Sequence, residues 1–102
     1  MIRRTAPRLA VLLPVAFSGD REGTGIIHNL SVNGCRIASS TEVEAGQYLT
    51  LVLHPGDNRP PIAVEVAEVR WVNPLGFGVA FRSFDADEQD RLLLFINNLP
   101  SA

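Results

Sequence analysis

The sequence predicts an all-β domain, a six-stranded antiparallel β-barrel followed by a C-terminal α-helix, and three observations carry that expectation. Apolar residues alternate with a period of two in six separate stretches, which is the pattern of half-buried strands. Clusters of Gly, Pro, Asn and Asp punctuate those stretches at short intervals, as turns do. After Phe84 the period lengthens toward that of an amphipathic helix. At 102 residues the chain is large enough for one modest core and too small for two.

The first strand is read from Leu9, Val11, Leu13, Val15 and Phe17, which share one face. Pro14 has no N–H to give to a ladder, so this strand is expected at an edge or with a bulge. The glycine-rich "GDREGTG" has no lysine and is no phosphate loop; it reads as a hairpin turn. "GTGIIHNL" and "GCRIAS" are the second and third strands, separated by the polar turn "SVNG", and "QYLTLVL" is the fourth. In the fifth, Ile62, Val64 and Val66 hold one phase while Val69 and Trp71 hold the other, so an extra residue near Ala67 and Glu68 is expected to form a bulge. "NPLG" then turns the chain into the sixth strand, where Phe77, Val79 and Phe81 share a face. The helix is expected over "DADEQDRLLLFINNL", with Asp85 and Glu88 at capping-box spacing and Leu92, Ile96 and Leu99 as its buried stripe. Residues 1–8 fall outside the alternation and read as a flexible N-terminal arm, with the barrel and helix spanning 9–102.

Composition limits the function classes. The chain is 46% hydrophobic and 20% charged, a globular balance. Nine arginines, no lysine and eleven acids leave a net charge of −2, so no global field would draw the molecule to nucleic acid or to an anionic membrane. Any anion site must be local. The single cysteine, Cys35, cannot form an internal disulfide, and it lies in phase with Ile37 as a buried small hydrophobe. His28 and His54 complete no metal-ligand set, so neither metal nor cofactor is expected. Arg3 and Arg4 ahead of "LAVLLPVAF" imitate a secretory signal, but Arg8 and Pro14 interrupt it and no cleavage site follows. No stretch reaches the roughly 18 apolar residues of a membrane span. A cytoplasmic setting fits best.

Two motifs stand out. Arg4 and Arg8 make R-x-x-x-R in "RTAPR", where Pro7 disfavours helix and leaves the two guanidiniums on an extended arm. Asn29, Ser31 and Gly34 make [D/N]-x-S-x-x-G in "NLSVNG", a pattern that chance yields in roughly one chain of twenty with this composition. A planar guanidinium can fork onto the oxygens of an anion, which lysine cannot do. Asn29 carries an amide, Ser31 a hydroxyl, and Gly34 lets the backbone turn or come close without a Cβ.

With "RTAPR", "NLSVNG", the late strand pair "VRWVNPLGFGVAF" and the order of six strands and a helix, the chain resembles the PilZ domain family, bacterial receptors for cyclic di-GMP. The resemblance covers nearly the whole chain. It implies that Arg4 and Arg8 take phosphate and guanine contacts, that Asn29, Ser31 and Gly34 complete the site, and that no reaction is catalysed. Many members have Asp where this chain has Asn29, a loss of charge assistance here. In members with arginine at the position of Arg3, a stacked pair of cyclic di-GMP molecules is often bound. Trp71 matches a tryptophan that in some members packs on a guanine; its alternative reading is a strand residue covering the barrel end. Asn33 reads as a turn residue tolerant of positive φ.

A Ser31, His28 and carboxylate triad has no nucleophile elbow around the serine and is rejected. The readings that remain are a cyclic di-GMP receptor acting through a downstream protein by ordering of its arm, an adaptor with weak or no nucleotide binding, and a single-strand nucleic-acid binder. The last is disfavoured by the acidic net charge and the scarcity of strand aromatics such as Tyr48 and Phe77.

Overall fold

The computed structural model describes residues 9–98. Arg3, Arg4 and Arg8 of the expected arm, and Leu99 of the helical stripe, lie outside the described residues. The elements run β1 (Leu9–Gly19), β2 (Gly23–Ser31), β3 (Gly34–Ala38), β4 (Tyr48–Leu53), β5 (Ile62–Asn73), β6 (Gly76–Ser83) and α1 (Ala86–Asn97).

Every strand is antiparallel to its neighbours, and the sheet closes in the order β1-β2-β3-β6-β5-β4. Closure follows from the alternation: six strands with one apolar face each can bury all of those faces only by turning them toward a common axis. Leu13, Val15 and Phe17 of β1 meet Ile27, Ile37, Leu51, Val64 and Val79 there, all buried. Phe17 and Phe77 pack edge to face across this interior, with ring centroids 5.5 Å apart. Leu92 and Ile96 of α1 join the same core, and the helix packs on β5. None of the described helices is long and apolar enough to cross a membrane.

Local geometry bears on three expectations. β1 pairs on both sides, so of an edge or a bulge the second is found, as a ladder irregularity between Ala10 and Leu13, with Pro14 opposite Ile26. In β5 the disturbance flanks Val66 on both ladders, and a second falls between Val69 and Trp71, so Val69 is buried while Trp71 is outside rather than in phase with it. The capping box does not form. The Asp85 side chain makes no capping hydrogen bond. The Glu88 carboxylate instead accepts the Ala63 backbone N–H at 2.9 Å and pairs with Arg91, tying the helix to the start of β5.

Candidate functional site

The second motif divides its labour between turn and surface. Ser31 is buried; its hydroxyl accepts the Asn33 backbone N–H at 3.1 Å and donates to the Gly34 carbonyl at 3.4 Å, so both functions of the hydroxyl serve the β2–β3 turn. The Asn33 carbonyl in turn accepts the Phe81 N–H at 2.8 Å, fastening the turn to β6. Gly34 pairs with Ala80, and a β-carbon on Gly34 would overlap the Val79 carbonyl oxygen. Close approach of β3 to β6, rather than a left-handed turn, is therefore what requires glycine here. Asn33 carries no positive φ and lies exposed on the rim of a cleft, which corrects its reading as a turn residue of that kind.

Asn29 belongs to a row that crosses four strands. It pairs with Arg36 of β3, Arg36 pairs with Gly78 of β6, and Gly78 pairs with Trp71 of β5. All four contribute to a cleft of about 470 Å³ on the outer barrel wall, which Asn33 and Arg70 also line. Two bulges shape it. Between Ile27 and Asn29 the β2 strand spends two residues against one of β3, and between Val69 and Trp71 the β5 strand spends two against one of β6. Each inserted residue breaks the strict alternation, so His28 joins Asn29, and Arg70 joins Trp71, on the outer side. Ordinary strand alternation would have sent one of each pair into the core.

Trp71 is 42% exposed. Its indole occupies the place where a β-carbon on Gly78 would stand, with three ring atoms in that space. Trp71 thus lies on the wall of the cleft, which replaces the reading that it covers the barrel end. The missing side chain of Gly78 makes room for the ring, a pairing of cross-strand aromatic and glycine.

The electrostatics explain how a net acidic chain can present a cationic surface. None of the eleven acids lies in β1, β2, β3 or β6. Among the described arginines, Arg21, Arg82 and Arg91 pair with Glu44, Glu68 and Glu88, and Arg59 stands over the Phe95 ring. Arg36 and Arg70, both exposed, make no ion pair among the described residues, and both line the cleft. Two guanidiniums without a carboxylate partner among the described residues, two amides and an indole around one cavity form a surface suited to a planar, anionic ligand.

Of the residues singled out by sequence, Asn29 and Trp71 come together at this cleft, while Ser31 and Gly34 build the turn and seam beneath it. Arg36, Arg70 and His28 were not anticipated. Arg36 was legible, since it alternates with Cys35 and Ile37, whose burial turns it outward. Arg70 was legible in the same way, next to Val69 of the buried phase, whereas His28 and the outward turn of Trp71 were not, because a bulge is a property of two paired strands. Among the described residues no group of three or more His, Cys, Asp or Glu could hold a metal ion.

Comparison with known proteins adds three findings. The model of the family described as PilZ domain matches residues 2–98. Among solved structures, the Bacillus subtilis inhibitor of motility (MotI/DgrA) superposes with a TM-score of 0.77 at 19% identity. The match covers 97% of this chain and 54% of that one, so the chain spans about half the length of that neighbour. No curated protein sequence matches.

Proposed function

The chain belongs to the PilZ domain family, a family of cyclic di-GMP receptor and adaptor domains, and from that premise we propose that it is a cyclic di-GMP receptor that acts through a partner protein. The observation that carries this reading is the cross-strand row Asn29, Arg36, Gly78 and Trp71, with the two arginines of the cleft left without carboxylate partners among the described residues. Cyclic di-GMP presents two phosphates and two guanines. Guanidiniums answer its phosphate oxygens and its guanine O6 and N7, an amide oxygen at Asn29 answers guanine N–H groups, and an indole offers a face for stacking.

The chain connection of the R-x-x-x-R motif to β1 supports this role. Leu9, to which Arg8 is bonded, pairs with Leu30 inside "NLS", and Ala10 pairs with Asn29. Arg4 lies five residues ahead of Leu9, within about 18 Å of it even at full extension. Arg4 and Arg8 then close over the phosphates while Asn29, Arg36, Arg70 and Trp71 form the floor. Ordering of residues 1–8 on the bound nucleotide changes the surface offered to a partner, and the binding energy of the nucleotide drives that change. Arg3 adds a third guanidinium for a second, stacked nucleotide. No bond is made or broken in this scheme, and PilZ domains are binding and adaptor domains.

Calorimetric titration with cyclic di-GMP tests the proposal. Saturable heat is expected, with Arg4→Ala or Arg8→Ala each weakening affinity at least about tenfold. Two nucleotides per chain would bear out the role of Arg3, and one would remove it. Absence of nucleotide heat would overturn the receptor reading in favour of an adaptor that works by protein contact alone.

A further inference from the structure

The cleft does not end at Trp71. A second lobe of about 230 Å³ shares Arg36 and Trp71 with it and is otherwise lined mainly by apolar groups, Ile37, Ala38, Leu75 and Phe77. His28 stands at its edge, turned outward by the β2 bulge. The remaining polar side chain is Asn73, whose Oδ1 is committed to its own hairpin, accepting the N–H of Leu75 at 2.8 Å and of Gly76 at 3.1 Å. His28 and Arg36 are the two side chains of this lobe able to donate from a cationic group, set against apolar walls, while the Asn73 amide nitrogen and the Trp71 indole are neutral donors beside them.

Such a lobe suits the face of a flat heterocycle with acceptor atoms along one edge, and guanine carries O6 and N7 in that arrangement. We infer that His28 is a ligand-binding residue and that, with Arg36, it recognises the acceptor edge of the second guanine of the dinucleotide, Trp71 standing between the two lobes. This inference rests on the receptor reading above. It makes His28 a determinant of how tightly the far half of the ligand is held. Because an imidazolium donates a charge-assisted hydrogen bond where a neutral imidazole donates an ordinary one or none, binding strengthens on acidification. The charged group facing His28 across β3 is Arg36; the facing stretch of β1, Ala10 to Leu13, is uncharged, and β5 and β6 present Trp71, Asn73 and Phe77 there.

Cyclic di-GMP titrations at about pH 5.8 and about pH 7.8 test this on the whole chain. The native protein is expected to bind about three- to tenfold tighter at the lower pH. His28→Gln, which keeps size and polarity, is expected to lose that difference. His54→Gln, remote from both lobes, is expected to keep it. The His28 ring resonances in two-dimensional NMR are expected to shift on nucleotide addition. If His28→Gln binds with the native pH dependence, or the ring resonances stay put while nucleotide binds, the His28 assignment is overturned and the receptor reading stands. If no nucleotide binds at either pH, both fall together.

Discussion

The indole of Trp71 lies over Gly78, its cross-strand partner, in the volume that a β-carbon at Gly78 would fill. The ring is held there by an absence of side chain, and the adjacent bulge at Arg70 turns it to the outer face. One consequence is that the position of the only tryptophan in the chain is set by a glycine on another strand.

Gly78→Ala should therefore displace the ring without unfolding the barrel, since what meets the new β-carbon is a side chain that can swing outward. The expected cost is about 1 kcal/mol or less in denaturant unfolding. Tryptophan fluorescence is expected to shift to the red, and cyclic di-GMP affinity to fall. An unchanged emission maximum would contradict the placement of Trp71.

Gly34→Ala is the contrasting case. Its β-carbon would meet the Val79 carbonyl oxygen, which belongs to the backbone of β6 and cannot move without breaking the β3–β6 ladder. A loss of about 3 kcal/mol is expected, a large part of the stability of a domain this size. Urea midpoints of the two glycine variants, measured side by side, should differ clearly; equal midpoints would refute the close-approach argument.

Arg36→Ala and Arg70→Ala are expected to weaken nucleotide binding about tenfold each, with unfolding midpoints nearly unchanged, because neither guanidinium has an ion-pair partner to lose among the described residues. Arg82→Ala is the control. Arg82 pairs with Glu68 at 2.7 Å on an exposed surface and lies outside the cleft, so its removal should leave affinity intact and cost less than about 1 kcal/mol. Equal losses of affinity in all three would point to a general charge effect.

Glu88 supplies a pH-dependent link between helix and barrel. The Ala63 N–H, and then the Arg91 guanidinium, hold its carboxyl below the ordinary value of 4.5. The folded state thus favours the carboxylate. Its stabilisation is present above about pH 4.5 and is lost as pH falls through the lowered folded value. Glu88→Gln is expected to cost on the order of 1 kcal/mol at neutral pH, and the difference from the native protein should shrink as pH falls below the ordinary glutamate value of 4.5. Unfolding curves across this range would show it; a constant difference at every pH would refute the link.

The alternation of Leu13, Val15 and Phe17, of Cys35 and Ile37, and of Phe77 and Val79 was enough to read six strands, because burial on one face writes itself into every second residue. The helix was legible from its period, yet Glu88 reached β5 instead of its own N-terminus. An acid three residues past an N-cap has a choice of partners, and the Ala63 N–H became one only when the barrel was assembled. Asn29 was legible as a surface candidate from its motif, whereas His28 beside it carried no signal, since one residue of every neighbouring pair in a strand ordinarily points inward.

By itself, then, the order of residues determined the strands, the turns, the period change into the helix and the family to which the chain belongs. These are local matters, settled by each residue and its near neighbours in the chain. Only the tertiary structure decided which side chains share the cleft. Bringing His28, Asn29, Arg36, Arg70 and Trp71 together depends on the register of four strands and on two bulges, and register is fixed by the joint packing of a closed barrel, where no strand can slip without moving every apolar side chain off the common core.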